Sequence, residues 1–398
     1  MPFFLNAILA CSAGVLLVSC SSLPDSKAGG RDAGLGLPAD YNGGRSPVPE
    51  LVDSLGDVFA DAGLRKQIAL SQRQNPDLAA AAARLEEAGF NTRSARSGLF
   101  PSLDFGAGAS RSQTNSAGGG FNFGSVITER YSASLDAQWE VDVWGRIRAG
   151  VAAAGANQKS FAADYEAARQ SIAAQTAQAW FDLVAATKLQ DLAAERRDSF
   201  QSTFDLVNRR FELGTADLGE LSLAKTDIEN ARAEISAQSN SRDQAARRLA
   251  TLVGSYPDAS RRADSWPSLK RAVAAGIPST LLESRPDIFS AYMRIISADA
   301  NVKVAHIDLF PKFSLTSSGG QQSSSLRDLA KSDFTVWSIA ANLGAPIIDG
   351  GRRRAELGAA NARAKQALAA YRLIVLNAFR EVENALGSEL YLRKQEEA

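Results

Sequence analysis

Catalysis needs nucleophiles, acid–base pairs or ligand sets, and this chain offers few of them. It has one histidine, His306, and two cysteines, Cys11 and Cys20. One imidazole and two N-terminal thiols supply no metal ligand set. No Gly-x-Ser-x-Gly elbow and no phosphate loop occurs. Gly106-Ala107-Gly108 lies in a strand-like stretch and lacks the helix that a dinucleotide fingerprint needs next. His306 has no triad partners in view and reads as structural. Pairs such as Glu86/Glu87 and Arg196/Arg197 read as solvated helix faces or lumen lining. The expectation is a protein that is not an enzyme, with no metal and no cofactor.

Cys20 is the exception, because of what precedes it. Residues 7–18 are nearly all apolar or small. That is too short for a spanning helix of about 20 residues, and suits the core of a signal peptide. The run ends at Leu17-Val18-Ser19-Cys20, which resembles the bacterial lipobox, where the cysteine becomes the first mature residue and carries lipid. No Lys or Arg precedes the core, unlike most signal peptides, which leaves the true start codon open. The alternative is an ordinary signal peptide with an incidental cysteine. Ser21 is unlike the Asp that retains some lipoproteins at the inner membrane. Residues 1–19 are thus assigned as signal peptide. Residues 20–55, whose start is rich in Gly, Ser, Pro and Asp, are assigned as a lipidated tether.

The 398 residues are 45% hydrophobic and 22% charged, with 44 basic and 44 acidic side chains. A formal charge of zero speaks against nucleic acid as a partner. After residue 55 the chain is written twice. Asn75-Pro76-Asp77 leads a helix-like run to Leu99-Phe100-Pro101, and Arg285-Pro286-Asp287 leads a similar run to Leu309-Phe310-Pro311. Both landmarks are displaced by 210 residues (75 to 285, 99 to 309). Solenoid repeats are about 20–50 residues, so this is a duplicated half. Residues 56–254 form the first repeat, 255–277 a linker and 278–398 the second repeat.

Each repeat reads helix, strand, strand, long helix. Residues 131–143 alternate strictly, with Tyr131, Leu135, Trp139 and Val143 on one face and Ser132, Asp136 and Glu140 on the other. Thr335, Trp337, Ile339 and Leu343 repeat the pattern, facing away from Ser338 and Asn342. Strands are expected over 102–112, 129–143, 312–318 and 334–346. A half-buried strand of a soluble sandwich alternates too. Membrane barrel strands need about 9–11 residues, an apolar lipid face, a polar lumen face and interfacial aromatics. Leu135, Trp139, Trp337, Ile339 and Leu343 are the candidate lipid-facing residues. Four strands cannot close a pore, so a pore requires several copies of the chain.

Long helices are expected over 147–212, 217–254 and 351–398. Tyr165, Ile172, Ala179, Ala186, Ala193, Phe200 and Val207 recur every seventh residue, and a heptad pattern resumes after Gly214 with Leu221, Ala224, Ile228 and Ala231. A helix over 147–212 is about 100 Å long at about 1.5 Å per residue, more than a globular domain needs. The chain must reverse at Gly214.

Gly276-Ile277-Pro278-Ser279-Thr280-Leu281-Leu282-Glu283-Ser284-Arg285-Pro286-Asp287 resembles the stretch linking the halves of the TolC/OprM-like outer-membrane efflux proteins, lipoprotein (NodT-type) branch. Trp139-Glu140-Val141-Asp142-Val143-Trp144-Gly145-Arg146, Pro346-Ile347-Ile348-Asp349-Gly350-Gly351-Arg352 and Arg210-Phe211-Glu212-Leu213-Gly214-Thr215 match the family as well. The resemblance implies a homotrimer with a twelve-stranded outer-membrane barrel, four strands from each copy, on a periplasmic helical tunnel. It implies passive export of drugs or other small solutes, with a periplasmic adaptor and an inner-membrane RND-type pump as partners. It makes Leu213-Gly214-Thr215 the adaptor-contact tip. Gly145-Arg146 maps onto Gly351-Arg352, so the counterpart of Gly214 is expected near position 420, about 22 residues past Ala398 (145 to 351 is 206; 214 shifted by 206 is 420). The family's second hairpin, where its gate lies, therefore reads as truncated, and residues 376–398 are expected to be frayed or loosely packed. The alternative function is a non-conducting remnant acting only as a lipid-anchored coiled-coil membrane protein.

The lipobox reading has a direct check. Intact mass of the membrane-extracted protein should show a mature chain that begins at Cys20 and carries a diacyl or triacyl adduct; a different N-terminus contradicts it.

Overall fold

A computed structural model describes residue 41 and residues 55–118, 121–270 and 282–398. Cys11, Cys20, the signal peptide, nearly all of the tether and the last part of the linker lie outside the described residues. After one helical turn at Leu55–Val58 come α1 (Ala62–Gln74), α2 (Pro76–Ser97), β1 (Ser102–Gly118), β2 (Phe121–Val141), α3 (Arg146–Glu212) and α4 (Leu218–Leu252). The second repeat supplies α5 (Pro286–Ile307), β3 (Lys312–Ser323), β4 (Thr335–Gly344) and α6 (Arg352–Glu397). Among the described residues no helix is long and apolar enough to cross a membrane.

The duplication is visible in how elements start. Asn75 ends α1 in an extended conformation and its side chain accepts from the Asp77 and Leu78 amides, with Pro76 at the first helical position. At the same place in the second repeat Arg285 precedes Pro286, and its guanidinium grips Asp287 at 3.0 and 2.7 Å and Glu381 of α6 at 2.9 Å. Each long helix that follows a strand starts at a glycine in the left-handed region, Gly145 at φ 79° and Gly351 at φ 84°, which a side chain disfavours.

The 67 residues of α3 hold together because they pack along their whole length. α4 folds back antiparallel beside α3, with Arg248 reaching Asp182 at 3.3 Å, Gln190 reaching Ser239 at 3.0 Å, and Arg210 lying 3.9 Å from Glu220 near the turn. Along the part of α3 beside α4, the seven-spaced Ala179 and Ala193 are buried and Ala186, Phe200 and Val207 partly so; beyond the end of α4, Ile172 is buried and Tyr165 partly so. Alanine at so many contact positions lets helix axes approach closely. The largest apolar cluster joins Leu64 and Ile68 of α1, Trp180, Leu183 and Val184 of α3, and Leu249 of α4. A polar seam ties the repeats: buried Ser160 and Ser290 bond each other at 3.0 Å, and Ser290 and the exposed Arg294 bond the two oxygens of Asp164 at 2.5 Å each.

The four strands form one antiparallel sheet in the order β1-β2-β3-β4. Three strands differ from their expected spans at the loop end: β1 runs to Gly118, β2 begins at Phe121 and β3 runs to Ser323. The added residues are mostly Ser, Thr, Gly, Asn and Gln, so no apolar alternation announced them. A backbone ladder needs no such alternation once one face is no longer apolar. At their other ends β2 stops at Val141 and β4 at Gly344, short of 143 and 346, where Asp142 and Pro346 leave the ladder. Of the two outcomes expected for 376–398, fraying is not what the structure shows, whereas loose packing is. α6 is continuous to Glu397, although Ala378 is its last buried residue. Good helix formers keep the backbone helical where tertiary contacts are thin.

Burial opposes ionisation of Asp287, but the Arg285 guanidinium and the Ile288 amide outweigh it and hold the carboxyl below the usual carboxylate range. A depressed folded pKa stabilises the fold above the unfolded value of about 3.9, and that stabilisation is lost as pH falls through the folded value. Asp287→Asn is expected to lower thermal stability at neutral pH and to reduce its loss on acidification. Thermal melts between pH 3 and 7 check this; parallel curves for the two proteins contradict it.

Candidate functional site

Three regions carry the features that matter for function: the sheet faces, the strand-to-helix junction and the α3–α4 turn. Residues paired across an antiparallel ladder share a face. The register sets Phe105 opposite Leu135, Leu135 opposite Gly319, and Ile339 opposite Ser317. It also aligns Leu103 with Ala137, Phe313 with Leu343, and Gly319 with Trp337. Apart from Val336, which lies opposite Gly320 on the other face, the large apolar side chains of these pairs thereby gather on one face. They are exposed there: Phe105 by 72%, Trp337 by 77% and Ile339 by 73%. The opposite face carries Asp104, Asp136, Gln138, Ser318 and Asn342, with Ser134 donating to Asp136 at 2.8 Å. A sheet that exposes its apolar face and turns polar groups inward suits an apolar solvent outside and water within.

Of the candidate lipid-facing residues, the structure brings Leu135, Trp337, Ile339 and Leu343 onto that exposed face. Trp139 shares the face but is half-buried, and its indole N–H donates to the Leu99 carbonyl at 3.1 Å. It belongs to the base of the sheet, because an indole with a backbone acceptor in reach satisfies its polar edge there.

That base is a second site, which residue spacing alone did not reveal. The Arg146 guanidinium bonds both Glu140 oxygens at 2.9 and 2.8 Å and lies 3.9 Å from Asp308. Asp142 accepts from the Ile147 and Arg148 amides at 2.9 and 3.0 Å, capping α3. Trp144 donates to the Pro311 carbonyl at 2.8 Å and stacks on Phe310 at 5.4 Å. Asp308 in turn meets Lys312 at 2.9 Å, and its carbonyl accepts from Arg353 at 2.5 Å. The signal was the dense run 139–146 itself. Its pairs span a left-handed glycine and so fit neither helical nor strand spacing. His306 stands edge-on to Phe310 at 5.6 Å, as packing within this base.

At the far end of α3 the Thr215 amide bonds Arg210 O at 2.8 Å and the Gly214 amide bonds Phe211 O at 2.9 Å. With Gly214 at φ 70°, this is a Schellman closure. Asp217 then caps α4 through the Glu220 amide at 2.8 Å. Leu213, 79% exposed, projects from the turn. Leu213, Gly214 and Thr215 thus sit together at the tip of a long helical hairpin, and nothing in the described chain covers them.

Comparison with known proteins agrees with this geometry. A family model described as outer membrane efflux protein matches residues 68–255 and 277–398. The chain is 31% identical over 344 residues to outer membrane protein OprJ of Pseudomonas aeruginosa, covering 85% of this chain and 72% of that one. It is 25% identical over 376 residues to the probable outer membrane lipoprotein SilC of Salmonella typhimurium, covering 91% and 79%. The crystal structure of the Campylobacter jejuni CmeC outer membrane channel superposes with a TM-score of 0.81 at 26% identity, over 90% of this chain and 79% of that one. With a sheet that is apolar on one face and polar on the other, set on long paired helices, this chain belongs to the outer membrane efflux protein family.

Proposed function

We propose that three copies of this chain close a twelve-stranded barrel in the outer membrane, continued by a helical tunnel in the periplasm. In this reading the protein is the passive outer-membrane channel of a tripartite system. It exports drugs or other small solutes that an inner-membrane pump delivers through a periplasmic adaptor. Cys20 carries the lipid anchor, and Leu213-Gly214-Thr215 meets the adaptor. The observation that carries the reading is the four-stranded sheet with its exposed apolar face. Four strands cannot enclose a lumen, and about eight only fill with side chains. Twelve leave room for a solute. Leu213 and Leu218, exposed at the hairpin tip by 79% and 66%, fit a protein partner in the same way, because clustered exposed apolar side chains mark interaction surfaces.

The two faces of β4 test the membrane assignment. Leu343→Arg is expected to destabilise the assembled barrel by about 2–4 kcal/mol if it lies near the midplane, read as a lower dissociation temperature of the oligomer in detergent. Asn342→Arg, on the polar face, is expected to leave that temperature nearly unchanged. Equal tolerance at both positions contradicts the assignment.

The tip is tested separately. Thr215→Cys carrying a thiol cross-linker is expected to capture a co-expressed cognate adaptor, and Ser171→Cys, far up the same helix, is not. Equal capture from both positions removes the special role of the tip.

A further inference from the structure

The sheet has two open edges, β1 and β4, and an unpaired edge left in a membrane is costly. We propose that in the closed barrel β4 of one copy, extended through the residues that follow it, pairs with β1 of the next in the register Leu343 to Ala107, Ala345 to Phe105 and Ile347 to Leu103. The proposal rests on the barrel reading above and deepens it to the level of residue pairs.

The register comes from the duplication. Within the first repeat Ser102 faces Gln138, and within the second Lys312 faces Gly344. The first partner has moved by 210 residues and the second by 206 (102 to 312, 138 to 344). Phe105 facing Leu135 becomes Leu315 facing Ala341 under the same two shifts. The repeats therefore correspond strand for strand. One seam between repeats is visible inside the chain, where Val141 faces Phe313 and Trp139 faces Leu315. In a ring of identical copies the remaining seam joins the second repeat of one copy to the first repeat of the next. Carrying Val141 forward and Phe313 back by the same shifts gives Ile347 facing Leu103.

Two further observations agree. The proposed pairs keep apolar side chains on the exposed apolar face all round, whereas a one-residue slip sets Asp104 or Asn342 against them. The second is exposure. Residues 310–313 are all partly buried where Val141 and Trp144 come down beside them, whereas their counterparts at 100–103 are all exposed, and Phe100, Pro101 and Ser102 border an open groove. The segment that should cover them is equally bare, Ile347 being 94% exposed. The counterpart of Trp144 at this seam is Gly350, so the indole clamp to a proline carbonyl is not repeated between copies, and Ile347 and Ile348 take its place.

Paired cysteines test the register in the full-length protein. Directly opposed residues lie about 4.5–5.5 Å apart, and a two-residue slip exceeds the roughly 7 Å that a disulfide spans. Leu103→Cys with Ile347→Cys, and Phe105→Cys with Ala345→Cys, are expected to give dimer and trimer bands on non-reducing gels. Leu103→Cys with Ala345→Cys, each single variant and the parent chain are expected to remain monomeric on the same gels. Stronger cross-linking from the slipped pair overturns the register and leaves the barrel standing. A native trimer with no cross-link at any pair overturns the edge pairing. A monomer by native mass overturns both this proposal and the channel reading.

Discussion

The structure depends on one constraint, the hand-over from strand to helix. Paired strands lie about 4.8 Å apart and packed helices about 8–10 Å, so a chain passing from one to the other must turn within a few residues and satisfy every backbone group as it does. Residues 139–146 do this. Glu140 and Arg146 pair across the turn, Asp142 caps the emerging helix, and Gly145 takes the left-handed conformation. Trp139 and Trp144 each tie this segment to the end of a neighbouring helix, at Leu99 and at Pro311. Both Leu-Phe-Pro turns are thus held by one stretch of chain, and the direction in which α3 leaves the sheet follows from it.

Above and below that joint the same chain obeys opposite rules. In the sheet, large apolar side chains are exposed together on one face and polar ones lie on the other. In the helices, Ile172, Ala179, Trp180 and Leu249 are buried and charged residues are on the surface. Both arrangements minimise the free energy of contact between side chains and what surrounds them. In the proposed barrel only the surroundings differ, lipid around the sheet and water around the helices, and the joint is where one set of rules gives way to the other.

The polar seam between repeats serves a different end. Ser160, Ser290, Asp164 and Arg294 satisfy one another across α3 and α5, and Asn75 donates to the Leu252 carbonyl across the first repeat at 2.8 Å. An Ala-rich helical interface can slide by a turn at little cost in apolar contact. Buried hydrogen bonds that must be made in one register resist such sliding.

Local periodicity was enough to read much of this from the sequence. Strict alternation over 131–143 marked a two-faced strand, seven-residue spacing marked the α3–α4 seam, and the doubled Leu-Phe-Pro marked the repeat. Gly214 marked the turn because few other residues accept its backbone conformation. These features are written in neighbouring side chains, so no fold is needed to see them. The loop ends of β1, β2 and β3 were not legible, since β1 and β3 are there mostly polar on both faces and the apolar Phe121, Phe123, Val126 and Ile127 of β2 do not keep a strict period of two. The place of Trp139 was not legible either. Period two put it among lipid-facing residues, and only the approach of Leu99, 40 positions earlier, gave its indole a partner at the base of the sheet. The register of β2 against β3 and the meeting of Asp308 with Arg146 and Arg353 likewise join segments remote in the chain. Such contacts are decided by tertiary structure, because they depend on where the backbone returns and not on what stands beside each residue.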